Sequence, residues 1–139
     1  MTDTMLKELL YLDSTVPIGS IALGVANEDS DLDLCVYGSD VPKEYLDTLS
    51  TVIPKEYDGY SRSLLLQNST LYTNDSTDIF VFTDYEKLAI VSKVMFSMKN
   101  YPKMLLKIKW IRVKLFRYLL LKNGFIDEKP NKIEYNIKD

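Results

Sequence analysis

Two aspartates, Asp31 and Asp33, lie two residues apart at the start of an apolar run that continues through residues 34–36. A strand there would place both carboxylates on one face, about 7 Å apart, because side chains alternate along a strand. A turn containing Gly19 and Gly24 precedes them. Mg²⁺ is usually bound through one or two carboxylates together with substrate phosphates. This stretch therefore predicts a site for a metal-bound nucleotide.

The two glycines of the turn permit positive φ and a close approach of backbone N–H groups to an anion, and Ser20 adds a hydroxyl donor. A P-loop is excluded because Val25 and Ala26 follow the second glycine, where Lys and Ser or Thr are required. A dinucleotide-binding fingerprint is also excluded, since the chain contains no G-x-G-x-x-G. The turn therefore matches neither of these two phosphate-binding motifs.

The pattern Gly-Ser, ten residues, then Asp-x-Asp resembles the nucleotidyltransferases of the DNA polymerase β superfamily, most closely their minimal single-domain members. The pattern is met by Gly19, Ser20, Asp31 and Asp33, and its longer form is matched also by Gly24 and Ser30. The resemblance implies an α/β fold, with a small mixed sheet flanked by helices. It also implies that the glycines and serines bind the nucleotide and that the aspartates bind metal.

A third carboxylate, Asp78, enters the apolar strand predicted over 77–82, where a charge is costly unless it has a partner. In the resembled family a third metal ligand comes from a strand beside the Asp-x-Asp strand, and Asp78 fits that position. The resemblance then implies two Mg²⁺ ions, replaceable by Mn²⁺, about 3.5–4 Å apart between the three aspartates. The alternative is that Asp78 only caps the entry to its strand, next to Ser76 and Thr77.

The reaction implied by the resemblance moves an NMP from an NTP, such as ATP, to a hydroxyl of a protein or RNA acceptor and releases pyrophosphate. Similar small proteins use a toxin partner or a tRNA 3′ end as the acceptor. Because the chain has no histidine, Asp78 is the candidate proton acceptor. The alternative is a non-catalytic nucleotide-binding or antitoxin-like partner protein. Leu23, where the family often has a basic residue, and Pro17, which removes a strand donor, favour that alternative.

The composition predicts one domain over residues 1–126 and a polar tail, 127–139, whose alternation suits an edge strand. The single cysteine, Cys35, allows no internal disulfide, which suits a reducing, cytoplasmic compartment. It is predicted to be a small, partly buried thiol, and the alternative is a reactive one. No signal peptide and no apolar run long enough to span a membrane are expected.

Charge is unevenly distributed: residues 1–86 carry a net charge of −12 and residues 87–139 carry +9. An acidic, metal-binding half would thus adjoin a basic half, which suits an anionic substrate. A basic stripe is predicted on the last helix, formed by Lys103, Lys107, Lys114 and Arg117. This stripe is either a solvated face or a contact for nucleic acid or a phosphorylated partner.

Hydrophobic periodicity predicts helices over 3–12, 42–53, 83–98 and 102–123, and strands over 14–18, 31–37, 62–67, 70–73 and 77–82. The third helix is predicted to open with a capping box at residues 83–86. On the last helix, the predicted core face consists of Leu105, Ile108, Leu115 and Leu119.

Overall fold

The computed structural model describes residues 3–28, 30–48, 50–51, 64–74 and 77–126. Within these ranges, five strands form one sheet in the order β1-β2-β5-β4-β3. The strands are β1 Val16–Ile18, β2 Leu32–Tyr37, β3 Ser50–Thr51, β4 Ser69–Asn74 and β5 Thr77–Phe82. The central pair, β2 and β5, is parallel, and the other neighbouring pairs are antiparallel. The predicted α/β fold with a small mixed sheet is confirmed.

Helices cover both faces of this sheet. They are α1 Asp3–Tyr11, α2 Gly19–Ala22, α3 Lys43–Leu46, α4 Tyr85–Met98, α5 Lys103–Leu106 and α6 Lys109–Lys122, with a short 3₁₀ turn at Gly38–Asp40. Within the described ranges, no helix is long and apolar enough to cross a membrane. The predicted tail, 127–139, lies outside the described residues.

The alternation of side chains along β2 and β5 creates two cores. Leu34 and Val36 of β2 pack with Ile79 and Val81 of β5 on the face covered by α1 and α3. The residues of opposite parity face the other side of the sheet. They are Cys35 of β2 and Phe80 and Phe82 of β5, which pack under α4 and α6 in the larger core. Asp33 and Asp78 have this second parity, so their carboxylates belong to the α4 and α6 side of the sheet.

Strand β5 and helix α4 follow the sequence prediction closely. The predicted strand 77–82 is confirmed, and the predicted apolar face of α4 is buried through Leu88, Val91, Met95 and Met98. The start of α4 differs from the predicted capping box. Asp84 is the N-cap, and its side chain accepts a hydrogen bond from Glu86 N at 2.9 Å.

The helix predicted over 42–53 is wrong, since α3 ends at Leu46 and β3 follows at Ser50–Thr51. Thr48 Oγ1 donates a hydrogen bond to the Tyr45 carbonyl at 2.8 Å. A side-chain bond of this kind competes with the next helical backbone bond, which explains the early end of the helix.

The strand predicted over 62–67 is wrong in its described part. Leu64 and Leu65 are instead helical, and a turn follows at residues 66–67. Gln67 N donates to Leu64 O and Asn68 N donates to Leu65 O, both at 3.1 Å, and Ser69 Oγ donates to Leu65 O at 2.6 Å. Both leucines are fully buried, so this helical end contributes consecutive side chains to the core where a strand would contribute alternate ones.

The helix predicted over 102–123 is broken at Lys107 and Ile108, where the backbone of Ile108 is extended. Arg112 Nη1 donates to the Leu106 carbonyl at 2.8 Å and so binds an acceptor that the break leaves without its helical partner. Because the break changes the helical phase, Leu105 and Ile108 are 44% and 41% exposed and the predicted core face is wrong there. The buried residues are Leu106, Phe116, Leu119 and Leu120.

Candidate active site

The centre of the candidate site is the pair Asp33 and Asp78, which occupy matching positions on the parallel strands β2 and β5. Residues in register on neighbouring strands point to the same face, with strands about 4.8 Å apart. Two carboxylates that lie forty-five positions apart in the chain are therefore neighbours in the sheet. Ile18 of β1 and Thr73 of β4 complete the same row across the sheet.

Asp78 is held by a neighbour that the sequence did not single out. Thr73 Oγ1 donates a hydrogen bond to Asp78 Oδ1 at 2.7 Å, and Asp78 is only 8% exposed. The bond compensates part of the cost of burying the carboxylate. It also restrains the orientation of the side chain. Thr73 lies within a predicted strand, but only the register with β5 reveals its role.

The glycine turn lies directly against Asp33. Gly19 has a φ of +80°, and a Cβ built on it would lie 3.0 Å from Asp33 Oδ2. Any other residue would strain the backbone and press against the carboxylate. Gly24 also has a positive φ, of +73°, and Val25 N donates to Ser20 O at 3.0 Å to close the turn. Gly19 and Ser20 thus begin the short helix α2 and Gly24 follows it, in one compact segment whose first residue lies against Asp33.

The loop that enters β2 carries the remaining predicted residues. Asp31 is exposed and lies one residue before the strand. Ser30 Oγ accepts a hydrogen bond from Asn27 N at 2.9 Å, and Ser30 N donates to Asn27 O at 3.2 Å. Ser30 therefore stabilises the loop that presents Asp31. Its predicted contact with nucleotide and the metal role of Asp31 remain predictions.

All the side chains in the row that could bind metal offer oxygen atoms: the carboxylates of Asp33 and Asp78 and the hydroxyl of Thr73. This donor set suits a hard cation such as Mg²⁺ or Mn²⁺. Among the described residues, no group of three or more His, Cys, Asp or Glu side chains is gathered closely enough to enclose a metal. The structure thus brings Asp33 and Asp78 together and leaves Asp31 at the edge of the site.

Cys35 lies two residues beyond Asp33 on the same face and is fully buried. The pKa of its thiol is raised well above the ordinary value, first by burial and second by the nearby charge of Asp33. The sequence predicts a partly buried thiol, and the structure buries it completely. Because only the thiolate is a strong nucleophile, the raised pKa argues against a reactive role for this cysteine.

The buried thiol should make stability depend on pH in the alkaline range. An unfolded thiol ionises near pH 8.5, whereas the folded one stays protonated, so above that pH the unfolded state binds fewer protons. The free energy of unfolding should then fall by up to about 1.4 kcal/mol per pH unit more in wild type than in Cys35→Ala. Urea denaturation from about pH 8 to about pH 10 measures both slopes. Parallel slopes would contradict this account.

The predicted basic stripe is divided by the fold. Lys103 folds towards the glycine turn, where its Nζ donates to Leu23 O at 3.4 Å. Lys107 and Lys114 are exposed, and the Lys114 ammonium lies 5.7 Å from the centre of the Trp110 ring. Arg117 is half-buried. The four cations therefore do not form one continuous solvated face.

Comparison with known proteins agrees with this geometry. The family model described as the nucleotidyltransferase domain matches residues 4–126, which include all the strands and helices given above. No curated protein and no solved structure matches the chain. The match covers the glycine turn, Asp31, Asp33 and Asp78 together with the sheet that pairs two of them. The chain therefore belongs to the nucleotidyltransferase domain family, as a minimal member of the polymerase β superfamily.

Proposed function

We propose that this protein is a Mg²⁺-dependent nucleotidyltransferase that moves an NMP from an NTP, such as ATP, to a hydroxyl of a protein or RNA acceptor. One observation carries the proposal: Asp33 and Asp78 are in register on parallel strands, and Gly19 lies against the Asp33 carboxylate. A turn suited to phosphate is thus joined to a pair of carboxylates suited to metal. Membership of the nucleotidyltransferase domain family supports the same chemistry.

Asp33 and Asp78 would hold the metal, with Asp31 as the third ligand from the loop that enters β2. Two Mg²⁺ ions, or Mn²⁺ in their place, would neutralise charge on the triphosphate and on the attacking and leaving oxygens. The oxygen-only donor set is the observation that fits these ions.

The protein's own groups position the reactants. Gly19, Ser20 and Gly24 bind the β- and γ-phosphates. Ser30 stabilises the loop that presents Asp31 and contacts the nucleotide. The acceptor hydroxyl attacks the α-phosphorus in line, the bond from that phosphorus to the bridging oxygen breaks, and pyrophosphate leaves. Asp78 accepts the hydroxyl proton, since the chain offers no histidine for this step. Positioning and charge neutralisation would supply most of the rate enhancement.

Exposed cations support an acceptor that is a folded RNA, such as a tRNA, or an acidic face of a partner protein, such as a toxin. Lys107 and Lys114 are exposed on the basic half of the chain, which carries a net charge of +9 over residues 87–139. Opposite charge on the acceptor would favour its encounter with the site. The free, buried Cys35 suits a cytoplasmic setting.

A second candidate is a binding module that holds the nucleotide without transferring it and acts as an antitoxin-like partner. Two observations favour it. No cluster of three or more metal-ligating side chains is assembled among the described residues, and the hydrophobic Leu23 of the turn is 5% exposed and brings no charge to the phosphates.

Incubation of the protein with Mg²⁺, a cell lysate and each of the four NTPs labelled at the α-phosphorus separates the two candidates. We expect label on RNA or protein, dependent on Mg²⁺ or Mn²⁺. The double variant Asp31→Asn/Asp33→Asn is the matched control and should transfer nothing while keeping the wild-type melting profile. A wild-type protein that binds NTP but labels no RNA, protein or small molecule would favour the binding module.

A further inference from the structure

The acidic segment that surrounds the glycine turn contains no cation of its own. Residues 8–42 include no Lys or Arg, yet they include Glu28, Asp29, Asp31 and Asp33. A triphosphate bound by this segment alone would meet backbone N–H groups and carboxylates. Metal bound to the carboxylates offsets part of the repulsion, but any positive side chain at the turn must come from another part of the chain.

Such a side chain reaches the turn from α5. Lys103 Nζ donates to the Leu23 carbonyl at 3.4 Å, eighty positions away in the sequence. A Cβ built on Gly24 would lie 2.6 Å from the same Nζ, so the missing glycine side chain is what makes room for the ammonium. Two features of the turn therefore accommodate the ammonium of Lys103: Gly24 has no side chain, and the Leu23 carbonyl accepts its hydrogen bond.

The lysine also lines an open cavity at this position. The cavity has a volume of about 280 Å³, with Leu23 and Gly24 on one side and Lys99, Lys103 and Leu106 on the other. An ammonium has three donors, and the long bond to Leu23 O uses one of them. The group can thus bind a second, anionic acceptor, and Lys99 adds a second positive charge at the same cavity.

We propose that Lys103, assisted by Lys99, binds the terminal phosphates of the NTP beside the Gly19–Gly24 turn and supplies the positive charge that residues 8–42 lack. This inference rests on the proposed function, because it assumes that a triphosphate lies on this turn. It makes Lys103 a substrate-binding residue with a preference for triphosphate over monophosphate. The contact with Leu23 O is then the position that the ammonium occupies when no NTP is bound.

The test compares fluorescent ATP, fluorescent AMP and inorganic triphosphate, each with Mg²⁺, on the full chain. Lys103→Met should weaken binding of ATP and of inorganic triphosphate by about tenfold or more, the usual effect of losing one charge-assisted contact. Affinity for AMP should not change. Lys99→Met should give a smaller loss, and Lys103→Arg should restore most of the affinity. Lys93→Met, which changes an exposed lysine of α4 outside the cavity, is the matched control and should bind like wild type.

The outcomes separate this inference from the proposed function. If Lys103→Met binds ATP like wild type, or loses AMP and ATP affinity equally, the lysine only holds the turn and the inference is overturned. If inorganic triphosphate binds to wild type in a Lys103-dependent manner while no NMP is ever transferred, the inference stands and the proposed catalysis fails. If wild type binds none of the three probes, both are overturned.

Discussion

Asp78→Asn is expected to lower the rate of nucleotidyl transfer by about 10²–10⁴-fold while leaving NTP affinity close to that of wild type. Asparagine keeps the size of the side chain and an oxygen that can accept the bond from Thr73, which is 2.7 Å long in the wild type. It removes the negative charge and the basicity that the acceptor hydroxyl needs. Initial rates on the acceptor found in lysate, together with an NTP titration, measure both effects.

The matched control for this variant is Thr73→Val. Valine keeps the shape of threonine but removes the hydroxyl that donates to Asp78 Oδ1. We expect a modest loss of rate and stability, since the carboxylate, only 8% exposed, loses one hydrogen-bond partner. An Asp78→Asn protein that transfers at the wild-type rate would instead make Asp78 a strand-entry cap.

Gly19→Ala is expected to remove NTP binding and to lower the free energy of unfolding by more than the backbone strain alone. The φ of +80° costs an L-residue about 1–2 kcal/mol, and the new methyl group would lie 3.0 Å from Asp33 Oδ2. The carboxylate must move, and with it the pairing of Asp33 with Asp78. Urea denaturation and an NTP titration measure the two losses.

Gly124→Ala separates these two causes. Gly124 follows α6 with a φ of +79°, nearly the same as that of Gly19, but a Cβ built on it has no atom within 4 Å. This variant should therefore show the backbone strain alone and keep wild-type NTP affinity. Equal losses of stability and of binding in the two variants would contradict the proposed contact between the turn and Asp33.

The sequence predicts the candidate site better than it predicts the supporting elements. The spacing of Gly19, Ser20, Asp31 and Asp33 is local, and the continuous apolar run at 79–82 places Asp78 at the start of a buried strand without any knowledge of its neighbours. Two of the elements that differ from prediction are each associated with one side-chain hydrogen bond. Thr48 ends α3 by binding the Tyr45 carbonyl, and Arg112 binds the Leu106 carbonyl where the last helix breaks.

Two residues of the site could not be found from local pattern. Thr73 acquires its role only because β4 pairs with β5 in the register that sets it opposite Asp78. Lys103 belongs, by sequence, to a regular basic stripe on a long helix. The break at Ile108 and the packing of α5 near the turn instead bring its ammonium to Leu23, eighty positions away. Such long-range contacts depend on tertiary packing, which a periodicity analysis does not contain.

The parallel pairing of β2 with β5 also determines when the site can exist during synthesis. Asn74 pairs with Thr77, only three positions later in the sequence, so β4 and β5 can join at small entropic cost as soon as both have been made. Asp33 and Asp78 are forty-five positions apart, and their strands meet only after a much longer loop has closed. A nascent chain therefore contains the complete Gly-Ser and Asp-x-Asp pattern well before it contains the paired carboxylates. The proposed transfer would require that β5 has left the ribosome and paired with β2.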